Sequence, residues 1–144
     1  MGSIRKFFFV MQIGIVPTDE AVAKFNEFKF AHKLYFVIYK IQGDKDIVID
    51  VEGEKGKTFA DLKAALPENE PRYIIVNHDY AVDTTTRTKI FLILYTPSTT
   101  PVRKRMLYAS AKSAIKSAFT GIQNDLDVDE SFREEDLTEK ATRV

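Results

Sequence analysis

The chain has 144 residues, with 21 basic and 21 acidic side chains and no cysteine. This length fits one domain, and the lack of cysteine excludes disulfides, thiolate metal sites and a cysteine nucleophile. The two histidines, His32 and His78, lie far apart in the sequence, which argues against a metal site built from several histidines. We therefore expect a single-domain protein that uses no metal and no other cofactor.

Charge is unevenly distributed along the chain, although the net charge is zero. Residues 84–124 carry seven basic and no acidic side chains, whereas residues 125–144 carry three basic and eight acidic ones. A basic segment followed by an acidic tail indicates an interaction face, because the neutral average hides two regions of opposite sign.

Residues 1–13 precede the first predicted helix and differ from the rest of the chain. Arg5 and Lys6 stand before an apolar run, as in a signal peptide, but no small-residue cleavage site follows. No apolar stretch reaches the ~20 residues that a membrane-spanning helix needs. We expect residues 1–13 to be an extension, residues 14–144 to form the domain, and no segment to span a membrane.

The first half of the sequence predicts a helix, a β-hairpin and a second, short helix. Thr18 is the expected N-cap of the first helix, since two acidic residues follow it. The aromatic and β-branched run at 34–41 predicts a buried strand that pairs with a second strand at 47–51. Thr58 then caps the short helix.

A second pair of strands is predicted at 72–77 and 90–95. The later one, IFLILY, is apolar on both faces and is therefore expected at the centre of the sheet. The linking segment 80–89 is polar and rich in threonine. We expect this segment to project beyond the sheet as a long hairpin loop.

The longest predicted helix covers 102–119, because apolar residues recur there at the spacing of a core-facing stripe. A short strand near 122–128 and an exposed helix at 132–143 follow. This order of elements predicts an α/β fold of the α+β type, with one central mixed β-sheet sandwiched by helices.

The long helix also carries cations away from its core-facing stripe. Arg103, Lys104 and Arg105 lie in its first turn, where the helix dipole is already positive. This arrangement favours an acidic partner, although a merely solvated face fits the pattern equally well. We do not expect nucleic acid to be the partner, because no aromatic residues that stack on bases interleave the cations, whereas anionic lipid headgroups remain an alternative.

The sequence contains little that indicates an enzyme. His78 and Asp79 adjoin a strand end, but no G-x-S-x-G motif and no phosphate-binding glycine motif occurs. We therefore expect His78 and Asp79 to begin a loop and the protein not to be an enzyme.

Three motifs resemble those of the actin-depolymerising factor/cofilin family. Residues 101–112, PVRKRMLYASAK, are similar to the family's P-V-R-x-K-M-x-Y-A-S-S-K signature, and residues 66–69 match its L-P-E-N sequence. Residues 14–16, followed by FNEFK at 25–29, are similar to its G-V…D-E…F-N-x-L-K pattern. The resemblance extends from residue 14 to residue 143.

The resemblance implies a single ADF-homology domain that binds actin and is not a catalyst. Proteins of this family bind actin monomers and the sides of filaments, prefer ADP-actin, and sever or depolymerise filaments. We therefore expect a monomeric protein at the actin cytoskeleton in the cytoplasm, with the nucleus left open as a second location. The family's regulatory serine corresponds to Ile13, so we expect no regulation by phosphorylation at this position.

The resemblance also implies three sets of contact residues. The set for the actin-monomer site comprises Gly14, Ile15, Val16, Arg103, Arg105, Lys112 and Lys116. The set for the filament site comprises Arg87, Lys89, Glu139, Lys140 and Arg143. The set for phosphoinositides comprises Arg103, Lys104, Arg105 and Lys112.

A function from a different class stays open beside actin binding. The same basic helix face suits phosphoinositide headgroups. Under this alternative the chain is a membrane-surface module of the same fold, with weak or monomer-only actin binding. Cosedimentation with actin filaments and flotation with liposomes distinguish the two hypotheses.

Overall fold

The computed structural model describes residues 14–143. The predicted extension at 1–13 and the expectation for Ile13 lie outside the described residues, so the domain boundary at residue 14 stays a prediction. In chain order the elements are β1 (Val16–Pro17), α1 (Asp19–Ala31), β2 (Leu34–Gln42), β3 (Asp46–Glu54), α2 (Phe59–Ala64), β4 (Arg72–Val82), β5 (Thr85–Tyr95), α3 (Val102–Ala118), β6 (Asn124–Val128) and α4 (Glu134–Thr142).

The six strands of residues 14–143 form one mixed sheet in the order β1-β3-β2-β4-β5-β6. β1 runs parallel to β3, and β6 runs parallel to β5. The four strands between them pair antiparallel. The predicted mixed sheet is confirmed.

Helices cover both faces of this sheet, as predicted, and bury two hydrophobic cores. On one face Phe25 of α1 stacks on Phe119, which directly follows α3, with ring centroids 4.6 Å apart. On the other face Leu62 of α2 and Leu137 of α4 are fully buried against the sheet. Each large side chain buried in this way contributes roughly 1.5–3 kcal/mol to stability.

The segment 80–89 projects from the sheet as a hairpin, as predicted, but the prediction that it is a loop is wrong, because β4 and β5 continue as a paired ribbon with a turn between Val82 and Thr85. β2 pairs with β4 only up to Val76, so the ribbon projects beyond its neighbour. Asp83 adopts a positive φ of 57° in the turn, which aspartate tolerates. The threonines of β5 are β-branched and suit a strand, so polarity alone was a misleading signal.

The residues that cap the first two helices were predicted correctly from the sequence. The Thr18 hydroxyl accepts a hydrogen bond from the Ala21 N–H at 3.1 Å, and Thr58 forms a capping box with Asp61. The long helix buries one residue that the predicted stripe omits, Tyr108. Its phenol oxygen accepts a hydrogen bond from the Ile41 N–H at 2.9 Å, which fastens α3 to the sheet.

Candidate functional site

The start of α3 lies at one end of the sheet, beside β1 and the turn between β2 and β3. β1 pairs with the beginning of β3, with Val16 opposite Asp46, and also contacts α3. Arg103 donates a hydrogen bond to the Asp44 carboxylate in the neighbouring turn at 2.7 Å. The structure therefore brings together two parts of the predicted monomer site that are far apart in sequence, residues 14–16 and the first turn of α3.

The three cations in the first turn of α3 differ in their surroundings. Arg103 forms its exposed ion pair with Asp44, and Lys104 lies 3.8 Å from the Glu70 carboxylate. The Arg105 guanidinium contacts the Thr100 carbonyl oxygen at 3.3 Å, so it has a backbone partner and no carboxylate partner among the described residues. No acidic residue lies in this turn. The turn is therefore positive in both its side chains and its helix dipole, which favours an acidic partner.

Two exposed apolar side chains accompany these cations, and neither was predicted from the sequence as a site residue. Val102 is 69% exposed and Met106 is 65% exposed. They are four residues apart and so lie on one side of the helix. Met106 precedes the buried Tyr108 by two residues, or about 200° around the helix axis, and this offset from the core stripe was the available signal. We call Val16, Val102, Arg103, Arg105 and Met106 the helix-start surface.

The second half of α3 has a different electrostatic environment. Lys112 lies 2.8 Å from the Asp127 carboxylate and 3.0 Å from that of Asp125, and Lys116 lies 3.3 Å from Asp125. Both aspartates belong to β6, so part of the acidic tail folds onto part of the basic segment. We call these four residues the helix-end ion cluster.

Opposing effects act on the pKa values in this cluster. Burial disfavours the charged form of Lys112, but its hydrogen bonds to Asp127 and Asp125 outweigh burial and raise its pKa. Burial likewise acts to raise the pKa of Asp125, but the hydrogen bonds and charges of Lys112 and Lys116 lower it overall. Both shifts favour the charged forms, so Lys112 and Asp125 are both ionised at neutral pH.

The predicted filament residues lie on the projecting ribbon, on α4 and, for Arg143, directly after α4. Arg87 and Lys89 are two residues apart on β5 and therefore lie on one face of the ribbon. Arg87 is exposed, whereas the Lys89 ammonium donates a hydrogen bond to the Ala141 carbonyl oxygen in α4 at 2.9 Å. Lys89 thus connects the two elements that carry the predicted filament site.

The remaining filament residues lie next to the helix-end ion cluster. A surface groove of about 410 Å³ separates α4 from β6 and α3. Its lining comprises Lys112, Asp125, Leu126, Asp127, Asp136, Glu139, Lys140 and Arg143. Residues predicted for the monomer site and residues predicted for the filament site therefore meet along one groove.

His78 and Asp79 lie inside β4, so the prediction that they begin a loop is wrong. The His78 ring is buried, and its Nε2 lies 2.7 Å from the Thr138 hydroxyl of α4. Burial lowers the pKa of His78 even though the charges of Glu134 and Asp79 oppose this shift. His78 therefore packs between the ribbon and α4 instead of facing an open cleft.

Two further features bear on the predicted partners. Within the described part of the chain, no three His, Asp or Glu side chains are grouped so that they could hold a metal ion. None of the helices in residues 14–143 combines the length and the apolar composition that crossing a membrane requires.

Known proteins resemble this chain in both sequence and structure. The sequence model of the cofilin/tropomyosin-type actin-binding proteins matches residues 14–143. Actophorin of Acanthamoeba castellanii is 33% identical over 133 residues, which cover 90% of this chain and 96% of actophorin. Actin-depolymerizing factor 3 of Arabidopsis thaliana is 37% identical over 115 residues, covering 78% of this chain and 83% of that protein.

A solved structure shows the same fold. The crystal structure of actin depolymerization factor 2 of Plasmodium berghei superposes with a TM-score of 0.79 at 27% identity, covering 88% of this chain and 94% of that one. Sequence and structure agree on nearly the whole described range. The chain belongs to the cofilin/ADF family of actin-binding proteins.

Proposed function

We propose that this protein binds actin monomers through the helix-start surface, binds the sides of filaments, and promotes filament depolymerisation and severing. The observation that carries the monomer part is the geometry of this surface. It combines exposed cations with two exposed apolar side chains at the start of α3, beside β1. Such a surface suits an acidic partner with an apolar recess, since charges steer association and apolar contacts supply affinity.

The names of the matched relatives support depolymerisation as the effect on filaments. Matched proteins carry the names actin-depolymerizing factor and cofilin. In this chain, Arg87 on the exposed ribbon, Glu139 and Lys140 on α4, and Arg143 directly after α4 supply the filament contacts. A filament offers a second actin subunit that a monomer lacks, so these residues are needed for filaments and dispensable for monomers.

The oligomeric state, nucleotide preference and location that we propose are those typical of the family. The protein acts as a monomeric binding protein and not as a catalyst, prefers ADP-bound actin, and works at the actin cytoskeleton in the cytoplasm. The nucleus stays open as a second location.

Phosphoinositides are the second candidate ligand, favoured by Arg103, Lys104 and Arg105 in one turn. These cations belong to the same turn as the monomer site, so a phosphoinositide headgroup would compete with actin. Lys112 contributes less to this ligand than the resemblance implies, because two aspartates already hold its ammonium group.

Three binding measurements test the proposal together. Purified protein is cosedimented with actin filaments, titrated into ADP-actin and ATP-actin monomers, and floated with phosphoinositide-containing liposomes. The expected result is binding to filaments, tighter binding to ADP-actin than to ATP-actin, and faster loss of filaments on dilution. Liposome binding without binding to either form of actin would contradict the proposal and favour the membrane-surface alternative.

A further inference from the structure

The helix-end ion cluster consists of two cations on a helix facing two carboxylates on a strand. Lys112 and Lys116 are four residues apart and point to one side of α3. Asp125 and Asp127 are two residues apart and point to one face of β6. The backbone ladder with β5 fixes their position, with Asp125 opposite Leu92 and Asp127 opposite Leu94. The two pairs of charges therefore face each other in a fixed register.

The cluster leaves Lys112 less available to a partner than Arg103 at the start of the helix. The Lys112 side chain is only 17% exposed and contacts two carboxylates. Arg103 also has a carboxylate partner, Asp44, but the Arg103 side chain is 69% exposed. An acidic partner can approach Arg103 directly, whereas it reaches Lys112 only by displacing an aspartate.

The ion pair between Lys112 and Asp127 is also one that a partner can displace. The Asp127 side chain is 71% exposed, and ion pairs with an exposed member are generally weak. Asp125 is held more firmly because it is shared between Lys112 and Lys116. Asp127 is therefore the member of the cluster that an acidic partner would displace first.

We propose that Asp125 and Asp127 are internal competitors for Lys112 and Lys116, and that they reduce the affinity of the α3 face for acidic partners such as actin. This inference rests on the proposed function, because actin is the partner used to test it. Asp125 and Asp127, the residues on β6 that lower the affinity under this inference, belong to none of the predicted contact sets. It also explains why the basic segment of the sequence is not a continuous cationic surface.

The test measures the affinity for ADP-actin monomers of Asp127→Asn, which removes the carboxylate charge and nearly preserves the side-chain shape. The expected result is binding about threefold tighter than wild type, in line with the usual strength of exposed ion pairs. The gain should shrink as salt is added, because salt screens exposed charges. Glu54→Gln is the matched control, since it removes an exposed negative charge at the far end of β3 and should leave the affinity unchanged.

The same substitution in a Lys112→Gln background separates competition from simple repulsion of the acidic partner. If Asp127 acts by occupying Lys112, the gain from Asp127→Asn disappears when Lys112 is absent. An equal gain in both backgrounds, or no gain in wild type, would overturn the inference and leave the proposed function standing. Wild-type protein that fails to bind actin would overturn the proposed function and this inference with it.

Discussion

The ammonium group of Lys89 on β5 lies 2.9 Å from the carbonyl oxygen of Ala141 in the last turn of α4. Carbonyl groups in the last turn of a helix lack intrahelical donors, and a cation there also complements the helix dipole. Lys89 therefore fixes the end of α4 against the ribbon. Arg87, two residues earlier on the same face, is exposed, so the two residues predicted as a pair have different roles.

The first prediction separates these roles by single substitutions. Arg87→Ala should weaken cosedimentation with filaments without changing the melting temperature, because its exposed side chain forms no hydrogen bond or ion pair within residues 14–143. Lys89→Met should weaken filament binding and also lower the melting temperature, because the Ala141 carbonyl loses its donor, at a cost of about 1–3 kcal/mol.

Monomer binding is the control for both ribbon variants, and it should stay near the wild-type value because the helix-start surface is unchanged. A Lys89→Met protein that melts like wild type would show that the contact with Ala141 does not hold α4 in place. Equal loss of monomer and filament binding in Arg87→Ala would mean that the two sites are one.

The second prediction concerns the cations of the helix-start surface. Arg103→Ala combined with Arg105→Ala should weaken binding to actin monomers and filaments, with a loss of ~2–5 kcal/mol if each arginine pairs with an actin carboxylate. Lys55→Ala combined with Lys57→Ala removes two exposed cations at the other end of the sheet and should have little effect on binding. Normal melting together with wild-type affinity for monomers in the arginine double variant would contradict the site assignment.

The third prediction concerns the exposed apolar residues of the same surface. Met106→Ala should weaken monomer binding by roughly 1–3 kcal/mol, because its side chain becomes buried only in the complex. Its stability should stay near wild type, since the side chain is 65% exposed in the free protein. Titration into labelled actin monomers and thermal denaturation measure the two effects. Unchanged affinity would remove Met106 from the interface.

Local chemistry explains which parts of the fold could be predicted from the sequence. The caps at Thr18 and Thr58 depend on residues three positions away, and both are found where the sequence placed them. The ribbon of β4 and β5 was missed because its threonine-rich part pairs across the turn while its polarity resembles that of a loop. Pairing of two strands across a turn is not visible in the composition of a segment.

The candidate site shows the same division between local and distant contacts. Arg103 and Arg105 could be placed on the exposed side of α3 from helix periodicity alone. The ion pair between Lys112 and Asp127 could not, because it depends on the register of β6 against β5. Contacts between elements depend on tertiary packing, so no sequence motif predicts them.

The fourth prediction uses the lowered pKa of Asp125. A carboxyl group whose pKa is lower in the folded than in the unfolded protein stabilises the fold above its unfolded value of about 3.9, and this contribution is lost as the pH falls through the folded pKa. Asp125→Asn should therefore lower the free energy of unfolding at pH 7, and the deficit should disappear in strong acid. Urea denaturation at pH 7 and at pH 2.5 measures the difference. A deficit of equal size at both pH values would mean that the substitution acts through packing and not through charge.

The fifth prediction concerns His78, whose burial lowers its pKa in the folded protein. The Nε2 atom contacts the Thr138 hydroxyl, whereas Nδ1 is buried without a hydrogen-bond partner among the described residues. The protonated ring carries an N–H at both nitrogens, so one would stay buried and unsatisfied, which is costly. The unfolded chain, with an ordinary histidine pKa near 6.5, binds this proton more readily.

The sign of the resulting pH dependence follows from proton binding. The unfolded state binds more protons below about pH 6.5, so the free energy of unfolding should fall as the pH drops through this range, by at most about 1.4 kcal/mol per pH unit for one proton. His78→Gln should reduce this slope between pH 7 and pH 5. The matched control is His32→Asn, which removes the exposed second histidine at the end of α1, where φ is 56° and asparagine is tolerated. A slope that persists in His78→Gln and vanishes in His32→Asn would assign the dependence to the wrong histidine and contradict the prediction.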